Sequence, residues 1–322
     1  MAPSRPQGVV SLLTDYGWAD GFVGALHSVL RRQLPDLPIV DLTHAVPAQD
    51  VRAGSFALER AAPYLAPGVV VAVVDPGVGT ARRGVALRVR DSDADAPDLV
   101  LVGPDNGLLL RAADALGGIS LAVELEQRDY WLSARGPTFA GRDIFAPVAA
   151  HLAAGGDNLA LGPPIGPETL ARLPAPAHRR HLDGSLEAEV TWVDHYGNIQ
   201  LAAGPDDLVL SGEIDIAMAP LGGAGTHPSH PGPHQPGPGP AGTSVVPPAA
   251  SPADLVARPW TCAVRARTVR AFGDLAPGEL GLFVDSYGRL ALCLYSASAA
   301  GQLGVDERNV LLLRPAGPPS TY

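Results

Sequence analysis

The 322-residue chain contains no lysine: its 23 basic residues are all arginine, set against 33 acids for a formal net charge of −10. That balance argues against a nucleic-acid partner, because affinity for a phosphate backbone rests on a basic patch. A Walker loop is excluded more directly, since its lysine has no counterpart. Only two cysteines occur, Cys262 and Cys293, too few for a disulfide framework or a thiolate zinc site, so a reduced, cytoplasmic setting and no bound metal are expected. Long hydrophobic runs are missing as well. The longest, such as residues 69–74, have the length of a strand and fall far short of the roughly 20 residues of a membrane span. Residues 1–8 carry one arginine and no apolar stretch, so no secretory leader is expected.

What is present is ample apolar material, 46% of residues, over a length that suits two domains. In the first half, short β-branched runs alternate with helical patterns, the pattern of a mostly parallel sheet covered by helices. Strands are expected at 9–13, 39–42, 69–74, 99–102 and 119–123. A helix with Phe22, Val23, Leu26, Val29, Leu30 and Leu34 on one face is expected after Asp20 as N-cap. Asp50 opens a second helix. A later one runs through Ile144, Phe145, Val148 and Leu152, with Pro147 in its first turns. The second half switches to period two, Glu187, Glu189 and Thr191 against Ala188, Val190 and Trp192. Turns at 195–198 and 285–288 imply antiparallel hairpins. The fold class is thus α/β for residues 1–170, a linker at 171–184, and a smaller antiparallel β domain at 185–322. Residues 221–258, with 9 Pro and 7 Gly, form an expected flexible insertion, whose His227, His230 and His234 are taken as incidental.

In open α/β sheets, ligands bind beyond the carboxyl ends of the strands. Four expected strand ends carry polar residues: Asp15, Asp41 with His44, Asp75, and Asp105 with Asn106. Single acids of this kind are often helix caps or turn residues; four on one rim point to a site. Gly77-Val78-Gly79 lacks the third glycine of the dinucleotide fingerprint. A carboxylate at the end of the first strand suits ribose hydroxyls instead, so a nucleoside without pyrophosphate is the expected ligand class.

Six motifs occur in order: Leu13-Thr14-Asp15-Tyr16-Gly17 with Asp20, Asp41-Leu42-Thr43-His44, Asp75-Pro76-Gly77-Val78-Gly79 with Arg82, Pro104-Asp105-Asn106-Gly107, Thr138-Phe139-Ala140-Gly141-Arg142-Asp143, and Asp194-His195-Tyr196-Gly197-Asn198. Together they resemble the S-adenosyl-L-methionine (SAM) hydroxide adenosyltransferases, or SAM hydrolases, relatives of fluorinase and chlorinase. The resemblance implies a C-terminal β-barrel and a homotrimer with active sites between the N-terminal domain of one subunit and the C-terminal domain of its neighbour. It implies attack of water or hydroxide on the 5′ carbon of SAM, giving adenosine and L-methionine, with SAM as substrate and no cofactor. By motif it implies Asp15 at the ribose, Asp20 and Asn106 at the substrate, Asp194 at the methionine amine, Asn198 and Phe272 at adenine, and Ser286 near the methionine carboxylate. Asp75 and Arg82 match two members of the family's catalytic Asp-Arg-His triad.

The third member is absent, because Ala140 stands where the family has histidine. His44, His151 and His195 lie outside the insertion, and none is assigned to catalysis. The halogenases carry a tyrosine at the Asp75 position, a long extra loop where only 91–98 stand here, and an arginine at the Tyr287 position. A carboxylate beside the nucleophile disfavours halide, so water is the expected nucleophile. A binder without turnover and, less favoured, a halide-using transferase remain the alternatives.

Overall fold

The computed structural model describes residues 8–89, 99–133, 135–210, 212–218 and 261–316. The insertion expected at 221–258 and the short connection at 91–98 lie outside them. The chain divides into two compact units, Met1–Leu173 and Pro174–Tyr322.

The first unit runs β1 (Val9–Thr14), α1 (Phe22–Gln33), β2 (Ile39–Thr43), α2 (Val51–Ala61), β3 (Gly68–Val73), β4 (Gly84–Val89), β5 (Leu99–Pro104), α3 (Leu110–Ala115), β6 (Ile119–Glu124), α4 (Ala146–Ala153) and β7 (Pro164–Ile165). The sheet order is β2-β1-β3-β5-β4-β6-β7. Strands β2, β1, β3 and β5 pair in parallel, while β4 is antiparallel to both its neighbours. All of β3 is buried, as expected of a strand with helices on both faces. The two-residue side-chain period splits it: Val69, Val71 and Val73 pack with Leu26 and Leu30 of α1 and Val148 of α4, whereas Val70 and Ala72 pack with Leu58 of α2 and Ala112 of α3.

Asp50 caps α2 as expected, its carboxylate accepting the Ala53 N–H at 2.9 Å. Asp20 does not cap α1: Gly21 takes that position in the left-handed region at φ 71°. Helix α4 begins at Ala146 with Pro147 in its first turn, and a π-helical turn at Gly141–Phe145 precedes it. Such turns break the regular backbone ladder and recur at functional sites.

The second unit contains β8 (His178–Arg180), β9 (Leu186–Val193), β10 (Ile199–Leu201), β11 (Glu213–Met218), β12 (Thr261–Thr268), β13 (Leu280–Val284), β14 (Leu290–Leu294), α5 (Ala299–Leu303) and β15 (Val310–Pro315). Strand β8 falls within the stretch expected as linker and pairs with β9. The sheet order β10-β14-β13-β12-β11-β15-β9 closes on itself through β9–β10, giving a seven-stranded, mostly antiparallel barrel in which β12–β13 alone pair in parallel. Leu186, Ala188 and Val190 fill the interior with Ile214, Leu282 and Leu292. Both expected hairpins form, β9–β10 and β13–β14.

Candidate active site

The carboxyl ends of β1, β2, β3 and β5 present the polar residues of the first unit. After β3 the chain turns at Asp75, whose carbonyl accepts the Val78 N–H, and at Gly77, whose carbonyl accepts both the N–H and the hydroxyl of Thr80. This turn brings Arg82 back onto Asp75. Nε donates to Oδ1 at 3.2 Å and Nη2 to Oδ2 at 2.5 Å, a two-pronged fork. Their side chains are only 12% and 6% exposed. Nη1 donates to the Arg83 carbonyl, and the guanidinium lies 5.4 Å from the Phe145 ring centroid. A buried ion pair is weak evidence for stability, since desolvation offsets most of the Coulombic gain, but removing one partner strands a charge at a cost of about 3–5 kcal/mol. Each Asp75 oxygen, accepting one hydrogen bond from Arg82, keeps lone-pair capacity for a further donor.

Asn106 lies beneath this turn. Its Nδ2 donates to the Val74 carbonyl at 2.8 Å and its Oδ1 accepts the Leu108 N–H. One end of the amide therefore fastens the chain leaving β3 and the other holds Asn106's own loop. Its neighbour Asp105 takes two bonds from Arg83 and one from the Ala171 N–H.

Asp15, at the end of β1, is half-buried and accepts the Gln49 N–H at 2.7 Å. Gln49 sits at φ 63°, an uncommon backbone conformation for a residue with a side chain, and so delivers that donor. Burial pushes the Asp15 carboxyl above its usual range; the Gln49 N–H pulls it down and the Asp75 charge pushes it further up. Asp20 is exposed.

The sequence reasoning named Asp41 and His44 on this rim but passed over two features, the bonds that join them to Thr14 and the setting of Tyr16. Thr14 accepts the Tyr16 N–H at 3.1 Å and shares a 2.8 Å bond with Nδ1 of the buried His44. Nε2 of His44 then reaches Asp41 at 3.0 Å, and His27 reaches the same Asp41 oxygen at 2.9 Å. The Asp41 carboxylate only accepts, so the hydrogen of that bond sits on Nε2 of His44. Burial pushes Asp41 up, but the His44 and His27 hydrogen bonds outweigh it and hold the carboxyl below its usual range. The second feature is Tyr16, whose ring meets Phe22 and Phe139 at centroid distances of 5.8 and 5.5 Å. Burial, then the charges of Asp15 and Asp75, push its hydroxyl well above the ordinary tyrosine range, with Arg82 opposing.

Ala140 is buried in the core at the entrance to the π-helical turn. Its companions Arg142 and Asp143 bond to each other at 2.6 and 2.9 Å. His151 stacks on Tyr130 at 4.4 Å, and His195 is exposed.

The expected residues of the second unit lie on two hairpin turns and a short helical turn. Asp194 Oδ1 accepts the N–H groups of Tyr196 and Asn198, and Oδ2 accepts Asn198 Nδ2 at 2.7 Å. Ser286 is exposed in the turn held by Asp285, and Phe272 is 47% exposed with its ring edge-on to Phe283.

Residues 10–162 match the family model described as the SAM hydroxide adenosyltransferase N-terminal domain. An (R)-S-adenosyl-L-methionine hydrolase of Salinispora tropica is 46% identical over 93% of this chain and 95% of its own length. The chain belongs to the SAM hydroxide adenosyltransferase family. Another member, the (R)-S-adenosyl-L-methionine hydrolase of Thermus thermophilus, is 41% identical over 59% of this chain and 72% of its own. A fluorinase of an Actinoplanes species is 26% identical over 61% of this chain and 72% of its own. Among solved structures, an uncharacterized conserved protein of Thermotoga maritima aligns with a TM-score of 0.75 at 26% identity, covering 95% of this chain and all of that one. The likeness to that structure extends over residues of both units.

Proposed function

We propose that this protein hydrolyses SAM to adenosine and L-methionine. The buried Asp75–Arg82 fork at the end of β3 carries the reading. An oxygen–carbon bond forms between water and the 5′ carbon while the carbon–sulfur bond breaks, its electron pair leaving on sulfur. The sulfonium becomes a neutral thioether, so the leaving group takes no proton and the reaction calls for no cofactor. One proton of the water passes to Asp75 and on to solvent. Arg82 fixes the carboxylate and stabilises hydroxide character on the attacking oxygen. Holding the two reactants in line supplies up to about 7–11 kcal/mol of the barrier reduction.

Asp15 accepts from the ribose hydroxyls, its raised affinity for protons marking a carboxylate short of donors before substrate arrives. Asp20 serves the methionine end. Asn106 acts by bracing the strand end that carries Asp75. On the barrel, Asp194 meets the methionine amine, Asn198 and Phe272 meet adenine, and Ser286 meets the methionine carboxylate. The working assembly is a homotrimer, and the buried free thiol of Cys293 suits a cytoplasmic location.

Incubation of the purified protein with SAM, followed by chromatography and mass spectrometry, tests the reading. Equal amounts of adenosine and methionine are expected. Adenosine bound tightly with SAM left intact after long incubation makes the protein a binder; 5′-chloro-5′-deoxyadenosine in high chloride makes it a halide transferase. Light scattering at three times the chain mass checks the trimer.

A further inference from the structure

The Asp75–Arg82 fork offers an attacking water a base and a cation, but two points do not fix the direction in which a water's lone pair faces. A third contact is needed, and Ala140, buried at the start of the nearby π-helical turn, has only a methyl to give. Tyr16 has more. Its ring is clamped by Phe22 and Phe139, which themselves meet edge-on at 5.3 Å, so the hydroxyl cannot swing freely. That oxygen rests against Gly141: a Cβ built there would collide with it, so a side chain at this position would displace the hydroxyl. No described residue is hydrogen-bonded to the hydroxyl, and Tyr16 is only partly buried. Gly141 opens the π-helical turn whose Phe145 ring lies 5.4 Å from the Arg82 guanidinium, which brings the hydroxyl to the side of the fork, and the charges of Asp15, Asp75 and Arg82 act on it.

We propose that the Tyr16 hydroxyl is the third contact of the attacking water, donating to its oxygen while Asp75 accepts one of its protons. The proposal rests on the hydrolytic reading above and adds a residue to it. Burial and the adjoining acids hold the Tyr16 proton in place, so the group acts as a donor and gives up no proton during the reaction. One lone pair of the water is occupied by Tyr16, Arg82 acting on the oxygen through its charge alone, and the other lone pair is left to form the bond to the 5′ carbon. The tyrosine exchanges no electrons and forms no covalent bond.

Tyr16→Phe removes the oxygen and keeps the ring clamp. The expected result is a fall in kcat of about 10- to 100-fold, in the range of a single lost transition-state donor or somewhat below it, with KM for SAM and adenosine affinity within about twofold of the parent. Gly141→Ala is the second variant: it displaces the hydroxyl without touching Asp75 or Arg82, lowers kcat in the parent, and has a smaller effect when Tyr16→Phe is already present. Unchanged kcat in Tyr16→Phe, with the parent active, overturns the proposal and leaves the hydrolytic reading intact. Parallel losses of kcat, adenosine affinity and melting temperature overturn it in favour of a packing role. A parent that releases no adenosine from SAM removes the hydrolytic reading, and the proposal with it.

Discussion

Carboxylates do opposite work in the two units. In the first, Asp75 and Asp15 are drawn into partly buried places at strand ends, where Asp75 is matched to one arginine and Asp15 only to backbone N–H groups. In the barrel, Asp194 and Asp285 are turn-makers: each takes two backbone N–H groups from its own loop and a side-chain amide, Asn198 for one and Gln200 for the other. The groups left over on the barrel, Ser286 and Phe272, face outward. A carboxylate that takes three bonds within its own unit chiefly fixes a loop's shape and keeps room for one further donor, whereas one held in a poorly solvated place with more lone pairs unclaimed is poised for a ligand. On the reading proposed above, the chemical step falls to the first unit and the barrel contributes only contacts to the substrate.

That division breaks first at Asp75. Asp75→Asn keeps the size and a hydrogen bond to Arg82 but removes the base, and turnover should fall by about 10²- to 10⁴-fold in a steady-state assay of adenosine release. A rate within a few-fold of the parent would move the chemistry elsewhere. His44→Ala should be the largest stability change, because it strands the Thr14 hydroxyl and opens a space in the rim; urea unfolding should show a loss of about 2–4 kcal/mol. Phe272→Ala sharpens the other side. An exposed ring contributes little to folding, so KM should rise about tenfold while the melting temperature stays nearly constant. A fall in kcat alone would place the barrel in the chemical step.

Asp15→Asn should act with opposite signs on stability and binding. Because its folded-state pKa is raised, the ionised group opposes folding once pH rises through that value, so the neutral amide should raise the melting temperature slightly at pH 7 while weakening adenosine binding in calorimetry. The smallest effect concerns Glu279, whose pKa is lowered to about 2 chiefly by its hydrogen bonds from Arg267. A depressed carboxyl stabilises the fold above its unfolded value and loses that contribution as pH falls towards about 2. Glu279→Gln should therefore flatten part of the acid dependence of melting below pH 4.5, the group's ordinary value.

Much of this was legible beforehand for a physical reason. The Val-rich run of β3 and the Asp50 cap are local signals, and local propensity agrees with the fold at both. Strand β4 was not among the expected strands; its run of six residues, glycine at the start and Arg88 near the end, is a weak signal and says nothing about direction, which only its pairing with β5 and β6 reveals. The Asp20 cap failed because Gly21 follows it, and a residue free to adopt the left-handed region can open the helix without a side-chain acceptor. Asn106 and Asp105 look alike as strand-end polar residues, yet their hydrogen bonds show both serving to fasten the loop.

The sequence by itself determined the two-part architecture, the positions of the strand ends and the residue types that meet there, since these follow from periodicity, turn chemistry and motif order along one chain. Tertiary structure decided which of those residues are bound to each other. Asp75 with Arg82, Thr14 with His44, and Tyr16 against Gly141 are separated by 7 to 125 positions. Hydrogen bonds and desolvation act over a few ångströms in space, and distance along the chain does not encode that.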